Sequence, residues 1–301
     1  MTWLLAFGGT ILRFVWRLIL WIPRRLHLVK QEKIEAEDRL LSILEKDRSL
    51  VERQLERETD QDKILELKQE LEELEAKQRA CYAKMRDRLL EQVGLPAYSA
   101  LVASDERVLE PENKAKLTEA VRRLDLLPPL ATAEEYFLSG NANYALERYD
   151  EALANYDSAL ELKPDDPNFL SNRGNTYHHL KRYEEALADY NKALQLRPDY
   201  PDILNNRGIN YLKMGAVYKK PEHYDEALAD FDRVLELQPD DPNTLYNLAC
   251  LFSLMRKPDD AISYLEKAIR LDEKFRQQAA RDSDFDNVRD DPRFQKLIEG
   301  S

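Results

Sequence analysis

The sequence predicts an all-α protein: a solenoid of helical hairpins preceded by a hydrophobic helix and a long helical segment. Three observations carry this. Turn chemistry is scarce, with 8 glycines and 14 prolines in 301 residues, whereas a sandwich or barrel needs a turn about every 8–12 residues. No proline falls between Arg24 and Leu95, and no glycine between Thr10 and Val93, while Leu and Ile recur there at helical spacing. A unit of 34 residues then repeats along the second half of the chain.

The first element is an apolar run. From Trp3 to Ile22 only Thr10, Arg13 and Arg17 interrupt it, and residues 1–30 carry +5 with no acid against −12 for the whole chain. Twenty apolar residues can span a bilayer core of about 30 Å. Arg13 and Arg17 share one helix face, opposite Leu5, Leu12, Val15 and Ile19, which equally suits a helix lying in the membrane plane. The sequence therefore predicts a membrane-associated helix over 1–25, with Trp3, Phe7, Trp16 and Trp21 as its membrane-facing aromatics. Spanning and in-plane insertion both fit; if it spans, Arg24, Arg25 and Lys30 place the bulk of the chain on the cytosolic side.

Residues 26–93 read as a helical or coiled-coil stalk. Positions 31–93 hold 18 acidic and 13 basic residues. Leu41, Leu44, Val51 and Leu55 form one apolar series, and Ile64, Leu67, Leu71, Leu74, Cys81 and Met85 another. The two are out of phase across Glu56–Asp62. Either one long helix carries a stutter, reaching about 95 Å at 1.5 Å per residue, or two helices fold back as an antiparallel hairpin. Thr59, with Asp62 three residues on, can cap a second helix. Coiled-coil pairing, within one chain or between copies, follows from the leucine content. Gly94, Pro96 and Tyr98 are expected to end this region. Residues 94–130 are a linker with one short helix, Pro111 at its start and Leu117, Val121 and Leu124 along its apolar stripe.

The repeats occupy 131–275. RYDEALANYDSALELKPDDP (148–167), RYEEALADYNKALQLRPDYP (182–201) and HYDEALADFDRVLELQPDDP (223–242) align, and KPDDAISYLEKAIRLDEK (257–274) is a degenerate fourth copy. Each copy follows a helix carrying Gly140, Gly174, Gly208 or Ala249. The small residue lets that helix A approach helix B, where Ala152, Ala186, Ala227 and Ala261 offer a matching small surface. Tyr156, Tyr190, Phe231 and Leu265 are expected to fill the space between repeats. Pro164, Pro198 and Pro239 stop helix B; Glu273 stands there in the fourth copy. From Gly208 to Ala249 the spacing is 41, and GAVYKKP (215–221) is the insertion, about two helical turns. One such hairpin cannot bury its apolar face alone, so neighbours must stack. Residues 276–301 read as a capping helix with Asp290 or Asp291 before Pro292 and an apolar face of Phe285, Val288, Phe294 and Leu297.

This pattern resembles the tetratricopeptide repeat (TPR) family over about Ala133 to Lys274, with repeats starting near Ala133, Pro167, Pro201 and Pro242. The resemblance implies that helix A of each repeat lines a concave binding face. There Asn172, Asn206 and Asn247 occupy one repeat position, and Asn141 and Asn175 a second, one turn on. An asparagine amide both donates and accepts, so such a row can hold an extended peptide backbone whatever its sequence, similar to the asparagine ladder of some family members. Members that grip the C-terminal carboxylate of chaperones use basic residues where this chain has Phe137 and Asp202. Asn141 matches, but that capture is not expected.

Other chemistry is missing. There is no GxSxG, GxxxxGK[ST], HExxH or GxGxxG, so neither catalysis nor a cofactor is expected. Cys81 and Cys250 form no CxxC and suggest neither a disulfide framework nor a zinc site. The pair His178–His179 points about 100° apart on a helix and reads as surface histidines. Net charge −12 argues against nucleic acid. The function expected is therefore that of a membrane-anchored adaptor, binding a protein or extended peptide in the helix A groove. A homo-oligomer built through the stalk, or a regulatory or assembly subunit of a membrane complex, are the other readings.

Overall fold

A computed structural model of the chain describes residues 38–102, 111–124 and 132–299. These divide into two compact units. One holds 38–92 and the C-terminal end of the helix Pro111–Leu124; the other holds the rest. Among the described residues every regular element is helical.

In the first unit, helix α1 (38–55) reaches a turn at 56–60, and α2 (Gln61–Val102) returns beside it. Asp60, not Thr59, caps α2: its Oδ1 accepts from the backbone N–H groups of Asp62 (3.0 Å) and Lys63 (3.3 Å). Of the two arrangements open from sequence, the hairpin is the one adopted. Tyr82 donates to Glu45 at 3.2 Å and Arg48 to Gln78 at 3.5 Å, a pairing whose numbers run in opposite directions. Leu44, Val51, Leu74, Cys81 and Met85 are buried between the helices, with Leu41, Leu67 and Leu71 at the margin. Two apolar series out of phase cannot share one straight seam, but they meet when the chain folds back. The single extended stalk is thus replaced by a helix pair whose stripes bury each other. The α2 backbone also runs through Gly94 and Pro96 to Val102 instead of ending there. A proline deletes one helical N–H and bends a long helix more readily than it ends one. Helix α3 (Pro111–Leu124) buries Leu117, Ala120, Val121 and Leu124.

The expected membrane association, with the bulk of the chain on the cytosolic side, is corrected. Among the described residues no helix is long and apolar enough to cross a membrane. The one long helix, α2, is 42 residues of charge-rich sequence, and the others described from α3 onward span 8–18 residues. Residues 1–25, with Trp3, Phe7, Trp16 and Trp21, lie outside the described residues.

In the second unit four hairpins follow in order: α4 (Ala133–Ala145) with α5 (Tyr149–Leu162), α6 (Pro167–His179) with α7 (Tyr183–Leu196), α8 (Pro201–Tyr218) with α9 (Glu222–Leu237), and α10 (Pro242–Leu254) with α11 (Pro258–Leu271). The A helices start at Ala133, Pro167, Pro201 and Pro242, as the repeat alignment requires. Their starts have local causes. Thr132 and Glu135 form a reciprocal capping box on α4. Asp166 and Asp241 cap α6 and α10, each with proline at the first helical position. The seven inserted residues lengthen α8 to 18 residues against 13 for the other A helices, and α9 to 16 against 14 for the other B helices.

Packing between A and B rests on the absent side chain. A Cβ on Gly140, Gly174 or Gly208 would fall 2.6, 2.8 and 2.6 Å from a ring carbon of Tyr156, Tyr190 and Phe231. All three rings are at most 1% exposed, so the glycine is the floor on which its own repeat's aromatic lies. Gly215 in the longer α8 does the same for Tyr224. Helix α11 ends at Leu271 without a proline: Asp272 turns extended and its carboxylate accepts from the N–H of Lys274, opening the next helix. The tail is more than one capping helix. It comprises α12 (Lys274–Arg281), a 3₁₀ turn Ser283–Phe285 and α13 (Pro292–Glu299), which Asp291 caps. Phe275, Ala279, Phe285, Val288 and Phe294 all join the core of repeats three and four, so the tail completes the solenoid as one more layer.

Candidate functional site

The A helices of repeats one to four line a groove of about 470 Å³. Its polar lining is dominated by amides: Asn141, Asn168, Asn172, Asn175, Asn205 and Asn206, with Gln238 and Asn243 further along. Phe137, Ile203 and Val234 contribute apolar surface, and Asp202 and Asp241 contribute carboxylates. A smaller hollow of about 170 Å³ shares Asn243 and includes Asn247.

Four of the five asparagines singled out from sequence thus surround one groove, and Asn247 lies in the adjoining hollow. Their hydrogen bonds divide them into two kinds. Asn141 is 4% exposed. Its Oδ1 accepts from the Tyr156 hydroxyl at 2.8 Å and from Asn172 Nδ2 at 3.0 Å. Asn175 likewise accepts from the Tyr190 hydroxyl at 2.7 Å. Both tyrosines are fully buried, and burial pushes their hydroxyls well above the ordinary range. A buried hydroxyl needs a partner, and these two asparagines supply it.

The other three are half-buried. Asn172 donates to Asn141 of the preceding repeat, and Asn247 Nδ2 donates to Asn205 Oδ1 of its preceding repeat at 2.9 Å. Asn206 lines the groove between them and makes no side-chain hydrogen bond among the described residues. The row is therefore partly self-bonded, one repeat to the next.

Sequence reasoning missed Asn168, Asn205 and Asn243. A signal existed: Asn168, Asp202 and Asn243 each follow the proline that starts an A helix. It also missed why Asn141 and Asn175 are asparagine. The pairs Tyr156–Asn141 and Tyr190–Asn175 become Phe231–Ile209 and Leu265–Cys250 in repeats three and four. Where the hydroxyl is gone, so is the amide.

Arg173 and Arg207 do not serve the groove. Arg173 grips the carboxylate of Asp189 through two bonds (2.8 and 2.7 Å) and reaches Asp157 of the preceding repeat at 2.7 Å. Arg207 holds Asp230 the same way (2.8 and 2.6 Å) and reaches Asn191 at 2.7 Å. Burial raises both aspartate carboxyls above their ordinary range, and the facing guanidinium opposes that rise without cancelling it. Each clasp ties three helices together.

The two histidines differ: His179 is exposed, as expected, while His178 is half-buried. The Nδ1 of His178 lies 2.9 Å from Asn210 Oδ1. Asn210 Nδ2 is committed to the Tyr183 carbonyl at 2.9 Å, so His178 donates through Nδ1. Desolvation lowers its pKa to about 4. His179 stacks on Tyr149 at 5.3 Å and is lowered by the same cause.

Among the described residues one cluster has metal-ligand chemistry. Cys250 Sγ and carboxylate oxygens of Asp282 and Asp284 lie within 4.8 Å of one another. The donors do not fit an ion. Asp284 is paired with Lys213 Nζ at 2.9 Å, Asp282 accepts from the Tyr246 hydroxyl at 2.8 Å, and burial pushes the Cys250 thiol well up. The ammonium already supplies the cation, and the group latches the tail turn onto α8 and α10.

Comparison with known proteins agrees with this architecture. The TPR repeat family profile matches residues 140–181 and 174–215, and a second tetratricopeptide repeat profile matches 206–274. Residues 140–274 therefore consist of tetratricopeptide repeats. No curated protein matches it in sequence. Among solved structures, a tetratricopeptide repeat protein from Parabacteroides merdae ATCC 43184 is 23% identical, with a TM-score of 0.50 over 72% of this chain and 78% of that one; the two share the fold. MamA of MSR-1 is 19% identical, with a TM-score of 0.48 over 64% and 97%. YrrB, described as a TPR protein with an unusual peptide-binding site, is 22% identical, with a TM-score of 0.42 over 63% and 92%.

Proposed function

We propose that the protein is a non-catalytic adaptor that binds an extended segment of a partner protein in the groove of its A helices. The observation that carries this is the amide lining around Asn206, whose side chain is half-buried and without a hydrogen-bond partner among the described residues. Such a group loses water on forming the groove wall and regains a bond when a peptide backbone is laid beside it. Asn172 and Asn247 keep their Oδ1 atoms for a ligand while their Nδ2 atoms bond the neighbouring repeat. Asn141 and Asn175 hold the wall in place through the buried tyrosines, so they position the groove more than they contact its occupant.

The test is binding of unstructured peptides to the full chain and to a triple variant, Asn172→Ala, Asn206→Ala and Asn247→Ala. Each lost bond is expected to weaken binding by about 0.5–1.5 kcal/mol, with the helical circular dichroism and melting transition retained. Equal binding by the folded variant would refute the reading. Because amides are neutral, this part of the affinity should change little with salt.

A further inference from the structure

We infer that the groove selects a basic segment: an extended peptide whose lysine or arginine side chains meet Asp202 and Asp241. This rests on the groove reading above and adds the chemistry of its occupant. Among the described residues lining the groove there are two carboxylates and no lysine, arginine or histidine. Asp202 is exposed and makes no side-chain bond or ion pair among the described residues. Asp241 caps α10 through one oxygen, Oδ2 to the N–H of Thr244 at 2.7 Å, which leaves Oδ1 for a ligand. Arg197 lies over the Tyr200 ring, outside the lining, 4.3 Å from its centroid. Arg173 and Arg207 are already neutralised by Asp189 and Asp230.

The adjoining hollow continues the same sign. It adds Asp282 and Asp284 against the single ammonium of Lys213, which is paired with Asp284. Residues 132–299 as a whole carry 33 acidic and 22 basic side chains, a net −11. A glutamate or a free carboxylate laid in this groove would face only amides and like charge, and like-charge contact across an interface suppresses wrong partners. A lysine or arginine would gain a charge-assisted bond on a wall that otherwise reads only backbone.

The experiment is selection of a displayed, fully randomised nine-residue peptide pool on the purified full chain. It is run on wild type, on Asp202→Asn with Asp241→Asn, and on the triple asparagine variant. Asparagine keeps the cap at position 241. Wild type is expected to recover peptides enriched about threefold in Lys and Arg and depleted in Asp and Glu. The enrichment should fall to about the input ratio in the double variant while recovery persists. Raising salt from 50 to 300 mM should reduce the enrichment as well. Peptides recovered at the input ratio by wild type, or an enrichment that survives in the double variant, would overturn this inference and leave backbone recognition standing. Loss of recovery in none of the variants, with a basic preference intact, would overturn the amide reading. Recovery of no peptide by wild type would overturn both.

Discussion

Gly174 and Tyr190 show how a single position sets the geometry of a repeat. A methyl group on Gly174 would sit 2.8 Å from a carbon of a ring that is 1% exposed, so the ring or the helix must move. Gly174→Ala is expected to destabilise the protein by about 1–3 kcal/mol, read as a shift in the urea midpoint at unchanged slope. A neutral result would mean the ring is free to tilt. The glycine and the aromatic were legible from the 34-residue period; that each glycine carries its own repeat's ring was not, because a period relates equivalent positions and not touching ones. His178 supplies a second residue-scale prediction. Its imidazole binds protons less well folded, at about 4, than at the ordinary 6.5. Unfolding therefore takes up a proton between these values, so stability is complete above pH 6.5 and is lost as pH falls towards 4. The loss is about 3 kcal/mol, and His179 adds to it in the same direction. Denaturant unfolding at pH 7.5 and 4.5 on wild type and His178→Gln should show a smaller loss in the variant. Equal losses would assign the effect elsewhere.

At the scale of helices, the two clasps explain why the middle repeats differ from the ends. Arg173 with Asp189 and Arg207 with Asp230 join helix A to helix B and to the preceding helix B. The corresponding residues in the first repeat are Ser139 and Asn155, and in the fourth Leu248 and Tyr264, the first in the apolar core and the second packed against it. The same space is thus filled by ions in two repeats and by hydrocarbon in another. Asp230→Ala leaves the Arg207 guanidinium, whose side chain is 23% exposed, without its paired carboxylate. A loss of about 2–3 kcal/mol is expected in the thermal or urea transition, below that of a fully buried pair because water reaches the arginine. Replacing both partners by the pair used in the fourth repeat, Arg207→Leu with Asp230→Tyr, should recover most of it. If the double variant is as unstable as the single one, the clasp has a role that apolar packing cannot fill. Arg173 and Arg207 stand at one repeat position, 34 residues apart, but the sequence does not show their partners, since those lie 16 and 23 residues away on another helix.

For the whole molecule, the second unit has its own buried core in two clusters, one holding Phe169 and Tyr190, the other Phe231, Phe285 and Phe294. Residues 130–301 are expected to express as a soluble, helical fragment with one cooperative unfolding transition. A fragment that fails to fold while the full chain does would show that the first unit is required. Stacked repeats need an end layer, and α12, the 3₁₀ turn and α13 provide it, so removing residues 274–301 should expose Phe231 and Leu265 neighbours and sharply lower solubility. By itself the sequence determined the helical class, the four repeats, their starting residues, the place of the insertion and the row of asparagines. Those follow from local chemistry: proline and aspartate at helix starts, glycine at close approach, and a period that recurs in one dimension. Only the tertiary structure decided that residues 38–92 fold back as a pair, that Asn141 and Asn175 serve buried tyrosines, that His178 is half-buried against Asn210, and that the groove carries carboxylates without a base. Those depend on which residues from separate helices come within hydrogen-bond reach, a distance that no spacing along the chain encodes.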